Sequence, residues 1–216
     1  MNKDTIAVHL NNCRVIYLDE VDSTNNYAKE LLVEENASRP IAIIANSQTC
    51  GRGRLGKSFA SPKDAGVYLS VVMESPIPTD DLPVVTMASA VSVRRAIKNI
   101  TGEDPQIKWV NDLFLRGKKI CGILVEGRAK TTIDNIIIGI GVNCFPSEYP
   151  SEIKEIAGPI SEEPGSFSRS ELAAEIINEV ISVVESIKSK NALNKILMEY
   201  SSNCMTPELI PPELAP

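Results

Sequence analysis

Residues 41–73 read IAIIANSQTCGRGRLGKSFASPKDAGVYLSVVM, and this stretch decides what kind of fold the chain can adopt. Its two ends, residues 41–45 and 67–73, are continuous runs of apolar and β-branched residues, which predict two buried strands. The residues between them are polar and rich in glycine, and Pro62 and Gly66 would interrupt any helix there. The stretch therefore predicts two strands of a sheet that are joined by a long loop.

Residues 51–58 of this loop, GRGRLGKS, match the P-loop pattern G-x-x-x-x-G-K-S letter for letter. A P-loop works because its backbone N–H groups surround phosphates and a helix begins at the Lys-Ser pair. No helical pattern follows Ser58, so we expect no P-loop here. Alternating glycines and guanidinium groups are instead typical of a loop that closes over an anion. A plain solvated loop remains an alternative, although it would more often mix acidic residues with the basic ones.

The composition is that of one globular domain. The chain has 216 residues, of which 43% are hydrophobic and 23% charged, and this length suits one α/β core better than two. No run approaches the roughly 20 apolar residues of a membrane span, and no signal-peptide core follows the polar residues 1–4. We therefore expect a cytoplasmic protein without membrane contact.

Charge and cysteine usage exclude further classes of function. The net charge of −6 disfavours binding to nucleic acid, because long-range attraction to a phosphate polymer needs an excess of basic residues. The five cysteines are scattered without a C-x-x-C pair, which indicates reduced thiols. His9 is the only histidine, so a zinc site would lack nitrogen ligands.

The remaining pattern alternates between strands and helices. The predicted elements are a strand at 14–20, a helix capped by Ser23 or Thr24, a helix from Pro83 to Gly102, strands at 107–110, 120–126 and 136–142, a turn at Arg116-Gly117, and a long helix opened by the capping box Ser168-x-x-Glu171. This order predicts a mixed α/β fold. We expect one domain over residues 1–204 and a proline-rich tail at 205–216.

A second segment with chemical potential is KWVND at 108–112, which places an ammonium, the only tryptophan, an amide and a carboxylate at the end of a predicted strand. Taken alone, it is also compatible with an exposed lysine beside a core tryptophan. Its predicted neighbours change this interpretation, because residues 23–25, Gln48 and Lys119 also lie where strand-like segments meet loops. We therefore expect several loops to converge on one cleft.

Five segments occur together in this order: DSTNNYA at 22–28, QTCGRGRLGKSFASP at 48–62, KWVND at 108–112, GKKICGILVE at 117–126 and IGIGVN at 138–143. In these segments the chain resembles the catalytic domain of biotin protein ligases, and the likeness covers most of residues 14–145. It departs from the family at Lys57, Phe59 and Val110, where the family usually has Arg, Trp and Pro. The resemblance implies an α+β fold, with a class II synthetase-like mixed sheet flanked by helices in a single catalytic domain.

The resemblance also implies an activity. Biotin protein ligases use ATP to form biotinyl-5′-AMP and then transfer biotin to a lysine of a biotin carboxyl carrier protein, such as that of acetyl-CoA carboxylase. Biotin and ATP are thus the expected substrates, and Mg²⁺ is the expected phosphate counter-ion without a dedicated metal site in the protein. A lipoate or other acyl-protein ligase of similar fold and a degenerate biotin- or nucleotide-binding module are the alternatives. The GRGRLG loop favours biotin, and the retention of Lys108 with both loop arginines favours an enzyme.

The family match assigns expected roles to individual residues. Lys108 and Arg54 are the expected catalytic residues: Lys108 would bridge the biotin carboxylate and the α-phosphate, and Arg54 would shield the adenylate. The expected biotin-binding residues are Ser23, Thr24, Asn25, Gln48, Gly51, Arg52, Gly53, Arg54 and Lys108. The expected ATP- and phosphate-binding residues are Arg52, Arg54, Lys57, Lys108, Asn111, Lys119 and Asn143, of which Asn143 would contact adenine.

The resemblance bears on accessory domains as well. Some family members carry an N-terminal winged-helix DNA-binding domain, whereas the catalytic pattern here begins near residue 14, so we expect no repressor role. Members usually end in a small SH3-like domain, which we expect to be missing from this chain. Homodimerisation through sheet edges is compatible with the resemblance.

Overall fold

The structure is a computed structural model that describes residues 1–2, 5–6, 9–10, 13–34, 40–78, 82–129 and 132–214. Its strands are β1 Arg14–Val21, β2 Ile41–Gln48, β3 Gly66–Pro78, β4 Gln106–Lys108, β5 Asp112–Leu115, β6 Lys118–Ala129 and β7 Thr132–Asn143. They form a seven-stranded sheet in the order β1-β2-β3-β7-β6-β5-β4. β1 and β2 are parallel, and every other neighbouring pair is antiparallel.

Helices cover both faces of this sheet. They are α1 Thr24–Glu34, α2 Leu82–Thr101, α3 Arg169–Ser186 and α4 Lys190–Ser202. α2, α3 and α4 pack on the face that carries the larger hydrophobic core, and α1 packs on the opposite face with a smaller cluster. Successive strand residues point to opposite faces, so neighbours such as Ile43 and Ile44 are both fully buried but in different clusters. This arrangement confirms the expected α+β fold with a mixed sheet.

Several local signals in the sequence are confirmed. Ser168 Oγ accepts a hydrogen bond from Glu171 N at 3.2 Å, and α3 begins at the next residue after Ser168. The turn between β5 and β6 lies at Arg116 and Gly117, whose φ angles are 50° and 75°. Positive φ at both central residues matches the twist of the flanking antiparallel strands, which is why this turn joins them tightly.

Two elements were not predicted. The strand expected at 107–110 ends earlier than predicted, because β4 ends at Lys108, and an additional strand, β5, begins at Asp112. β5 has four residues, which is too short to show a period of its own. α4 follows α3 after a short break at Ile187–Ser189, where the sequence contains neither glycine nor proline.

The chain after α4 packs against β4. Ile107 N donates to Asn203 O at 2.9 Å, and Met205 N donates to Ile107 O at 2.8 Å. Ile210 is buried in the main core. These contacts occupy the outer edge of β4. The division of the chain into a domain at 1–204 and a tail at 205–216 stays a prediction. No helix in the described ranges has both the length and the hydropathy to cross a membrane.

Candidate active site

A cleft of about 440 Å³ opens on the face of the sheet that carries α1. Glycines on β7 create this space. Ile137 packs against α1, and Gly139 and Gly141, which follow on the same face, have no side chains to fill the space beyond it. The ring of Phe59 lies over Gly141, where a Cβ atom would be only 2.4 Å from Phe59 Cε1. The absence of side chains at Gly139 and Gly141 is therefore what lets Asn25 and Phe59 lie against the sheet beside the cleft.

Most of the residues expected from the sequence line this cleft. They are Ser23, Thr24, Asn25, Gln48, Arg52, Gly53, Arg54, Lys57, Lys108, Asn111 and Lys119. Gly51 and Asn143 do not line it. A Cβ at Gly51 would lie 2.4 Å from Phe59 O, so this glycine lets the base of the loop pack closely. Asn143 is 6% exposed and its Nδ2 donates to Lys119 O at 3.4 Å, so its predicted contact with adenine stays a prediction.

One end of the cleft is polar, buried and rigidly hydrogen-bonded. Gln48 Oε1 accepts from Thr24 N at 2.9 Å and from Thr24 Oγ1 at 3.2 Å, and Gln48 Nε2 donates to Ser61 Oγ at 2.7 Å. Ser70 Oγ lies 2.7 Å from Thr24 Oγ1 and 2.6 Å from Asn25 Oδ1. Because each amide is fixed by partners on both sides, the corner presents donors and acceptors in set directions. Such a corner suits a neutral polar ring.

The other end of the cleft is cationic. Lys108 Nζ lies 5.1 Å from the centroid of the Phe114 ring, which stabilises the ammonium through the negative face of the aromatic system. Within the ranges that the structure describes, neither Lys108 nor Lys57 has a carboxylate at ion-pair distance. Two ammonium groups without acidic partners make this end of the cleft attractive to an anion.

Two further cations of the cleft have partners. Arg54 Nη1 donates to Asn111 Oδ1 at 3.1 Å, and Asn111 Nδ2 donates to Ile123 O at 2.9 Å, so the guanidinium is tied to β6 through one amide. Lys119 Nζ lies 2.7 Å from Asp112 Oδ1, an ion pair that joins β5 to β6. These contacts hold Arg54 and Lys119 at the cleft before any ligand enters.

The glycine-rich loop folds back on itself. Phe59 N donates to Gly51 O at 2.8 Å, and Gly53 N donates to Lys57 O at 2.7 Å. Residues 54–56 form a short 3₁₀ turn with Leu55 at φ 55°. No helix begins at Lys57 or Ser58, and β3 follows at Gly66. The match to the P-loop pattern is therefore coincidental, as the sequence predicts.

Several residues of the site were not predicted. Ile153 and Ile156 line the cleft from a segment that is fixed to β6 by the bond from Lys119 N to Ile156 O at 2.7 Å. Glu126 lies behind the cleft and pairs with Arg52 and Lys29. Its place at the end of the segment GKKICGILVE was visible in the sequence, but no local pattern indicated its partners.

Comparisons with known proteins show which family this chain is similar to. The model of the biotin/lipoate A/B protein ligase family matches residues 17–143. The bifunctional ligase/repressor BirA of Bacillus subtilis is 37% identical over 154 residues, which are 70% of this chain and 47% of that protein. The biotin–[acetyl-CoA-carboxylase] ligase of Mycobacterium tuberculosis is 26% identical over 197 residues, which are 88% of this chain and 71% of that protein.

A solved structure is similar as well. The biotin protein ligase from Aquifex aeolicus in complex with biotin and ATP superposes with a TM-score of 0.75 at 32% identity, covering 89% of this chain and 78% of that one. The chain spans about half the length of the Bacillus relative that it matches. The family match covers more than half of the chain and includes the glycine-rich loop, Lys108 and the glycines of β7. The chain belongs to the biotin/lipoate A/B protein ligase family.

Proposed function

We propose that this chain is an ATP-dependent biotin protein ligase, which forms biotinyl-5′-AMP and transfers the biotin to a lysine of a carrier protein. The observation that carries the proposal is the polarity of the cleft, which joins a buried, neutral hydrogen-bonding corner to a cationic end. Biotin has the same polarity, with a neutral ureido ring at one end and a carboxylate at the other. The names of the Mycobacterium and Aquifex relatives support biotin as the acid.

The neutral corner would bind the ureido ring. Ser23, Thr24 and Asn25 are 1%, 3% and 3% exposed, so hydrogen bonds made there are shielded from water. Gln48 is oriented by Thr24 and Ser61, which leaves the ligand to meet groups that are already fixed. Preorganised donors and acceptors favour binding because little side-chain freedom is lost when the ligand enters.

The cationic end would carry out the first step. A carboxylate oxygen of biotin attacks the α-phosphorus of ATP, the bond to the β-phosphate oxygen breaks, and pyrophosphate leaves. Both reactants are anions, so the transition state needs positive charge that is placed in advance. Lys108, held over Phe114, is the cation that we propose to bridge the carboxylate and the α-phosphate. Arg54, Lys57 and Lys119 would bind the remaining phosphate charge.

The second step needs no covalent enzyme intermediate. The amine of the carrier lysine attacks the acyl carbon of the adenylate, AMP leaves with the bonding electrons, and the nitrogen loses a proton. The mixed anhydride is prone to hydrolysis, so the loop at 51–59 would have to exclude water between the two steps. By its name, the Mycobacterium relative acts on acetyl-CoA carboxylase, and we propose a carrier of that class here.

Mg²⁺ fits this site as a companion of the nucleotide. The ion prefers carboxylate, phosphate and water oxygens in an octahedral arrangement. Asp112 is the carboxylate that lines the cleft in the described part of the chain, and it is the residue that would hold the ion. The ion would neutralise phosphate charge, while Lys119 pairs with Oδ1 of Asp112 and keeps the carboxylate in place.

The partners and the location remain predictions. Dimerisation would use the outer edge of β1, because the edge of β4 is occupied by Met205. A cytoplasmic location and the lack of nucleic-acid binding rest on the composition and the net charge of −6.

The choice of acid tests the proposed function. The family includes lipoate ligases, so the protein is incubated with ATP, Mg²⁺ and either biotin or lipoate, and pyrophosphate release is measured. We expect release that depends on biotin and is much weaker with lipoate. Release that is faster with lipoate would assign the chain to the other branch of the family.

Replacement of Arg54 by glycine is expected to uncouple the two steps. The guanidinium joins the loop to Asn111, and its loss frees the loop to open over the adenylate. Arg54→Gly should bind biotin only moderately less tightly but release biotinyl-5′-AMP faster, because a charged, labile product depends more on loop closure than a ureido ring does. The measurement is biotinylation of a bystander protein that lacks a carrier domain, detected by blotting.

Arg116→Gly is the control for this experiment. Arg116 is an arginine in a turn outside the cleft, where it pairs with Glu103. Its replacement should leave bystander labelling at the wild-type level. If Arg54→Gly forms adenylate but labels no more bystander than the control does, the shielding role of Arg54 is wrong.

A further inference from the structure

We propose that Glu126 is a positioning residue for biotin binding, which acts by holding the guanidinium of Arg52 against the neutral corner of the cleft. The proposal rests on the proposed function, because Arg52 is expected to bind biotin. Glu126 itself does not line the cleft. Its effect would therefore pass through the side chains that it binds.

The two carboxylate oxygens of Glu126 have different partners. Oε2 accepts from Asn25 Nδ2 at 2.8 Å and from Arg52 Nη1 at 3.0 Å, which are both residues of the cleft. Oε1 accepts from Lys29 Nζ at 2.7 Å, on the exposed side of α1. One oxygen thus faces the site and the other faces the surface, so the two roles can be separated by mutation.

Glu126 is charged when it makes these contacts. Burial alone would raise the pKa of its carboxyl, but the hydrogen bonds from Lys29 and Asn25, with the charges of Lys29 and Arg52, outweigh burial and lower the pKa below its usual value. Its side chain is 21% exposed, so the ion pairs are partly shielded from solvent. Hydrogen bonds to a carboxylate in such a setting are stronger than those between neutral groups.

The pair with Glu126 sets Arg52 apart from the other cations of the loop. Arg54 is held by the neutral amide of Asn111, and Lys57 has no acidic partner in the described ranges. Arg52 also donates to Asn26 Oδ1 at 3.2 Å, so its guanidinium is bound to α1 and β6 together. A guanidinium fixed before the ligand arrives loses little freedom on binding.

A double-mutant cycle on biotin affinity tests this proposal. The dissociation constant is measured by calorimetry for wild type, Glu126→Gln, Arg52→Met and the double variant, and circular dichroism confirms that each is folded. We expect Glu126→Gln to weaken binding about tenfold, as the loss of a charge-assisted contact would. In the Arg52→Met background the same change should weaken binding less than about twofold, because coupled residues are not additive.

Lys29→Met is the matched control. It removes the surface partner of Oε1 and leaves Arg52 and Asn25 in place, so we expect biotin affinity within about twofold of wild type. Equal effects of Glu126→Gln in both backgrounds, or an effect of Lys29→Met as large as that of Glu126→Gln, would overturn the positioning role.

Should Glu126→Gln not fold, Glu126→Asp, which keeps the charge but shortens its reach, is carried through the same cycle. A wild-type protein that binds no biotin would overturn the proposed function and this inference together, whereas normal binding without coupling would overturn the inference alone.

Discussion

Replacing Lys108 by alanine is expected to lower the rate of adenylate formation by about 10²- to 10³-fold, which is the typical effect of removing one preorganised electrostatic group from a transition state. Lys108 lies at the cationic end of the cleft over the Phe114 ring, and no carboxylate in the described ranges neutralises it. Lys57→Ala should reduce the rate by about tenfold or less, because Lys57 shares its task with other cations of the site.

The measurement is biotin-dependent pyrophosphate release by both variants at saturating ATP. Lys57 is the matched control, since it is also a lysine that lines the cleft. It is also the lysine that a P-loop would require. If Lys57→Ala proves more damaging than Lys108→Ala, the role assigned to Lys108 is wrong.

Gly139→Ala is expected to have the largest effect on both stability and biotin binding. A Cβ at this position would lie 2.2 Å from Asn25 Oδ1 and 2.8 Å from Asn25 Cγ. Asn25 cannot move aside without losing its buried hydrogen bond to Ser70 and its half-buried one to Glu126. Leaving such groups unsatisfied costs about 1–3 kcal/mol each, so we expect a loss of about 2–4 kcal/mol in the free energy of unfolding. Biotin affinity should fall about 10²-fold, because the neutral corner is displaced.

Urea unfolding and calorimetry with biotin measure the two effects. The double variant Asn25→Ala with Gly139→Ala removes the atoms that clash, so it should be more stable than Gly139→Ala alone. Biotin binding by the double variant should remain weak, since the amide of Asn25 is gone. A Gly139→Ala protein as stable as wild type, or a double variant no more stable than the single one, would contradict this account of the corner.

The sequence was sufficient to predict the structural elements that depend only on residues close together along the chain. The capping box at Ser168, the turn at Arg116-Gly117 and the strands at the ends of residues 41–73 are local patterns, and each is confirmed. The prediction that residues 51–58 form no P-loop is also local, because it rested only on the absence of a helical pattern after Ser58, and no helix begins there. The resemblance then named a set of site residues, most of which line one cleft in the structure.

What the sequence could not provide depends on contacts between distant residues. The hydrogen bond between Asn25 and Glu126 joins residues 101 positions apart, and that between Arg52 and Glu126 joins residues 74 apart. Neither has a local signature, so the sequence assigned no role to Glu126. Gly139 is similar, because its need to be glycine arises from Asn25 on another element. Such requirements appear only when the fold brings α1, β6 and β7 together.

The central claim is that this cleft activates biotin as its adenylate, and direct detection of that product tests it. The full chain is incubated with biotin, ATP and Mg²⁺, the reaction is quenched, and biotinyl-5′-AMP is quantified by liquid chromatography with mass spectrometry. We predict adenylate that requires both substrates, that is lost in Lys108→Ala, and that disappears as a carrier domain becomes biotinylated. A folded wild-type protein that binds biotin but yields neither adenylate nor pyrophosphate would show that the cleft is a binding site without ligase chemistry.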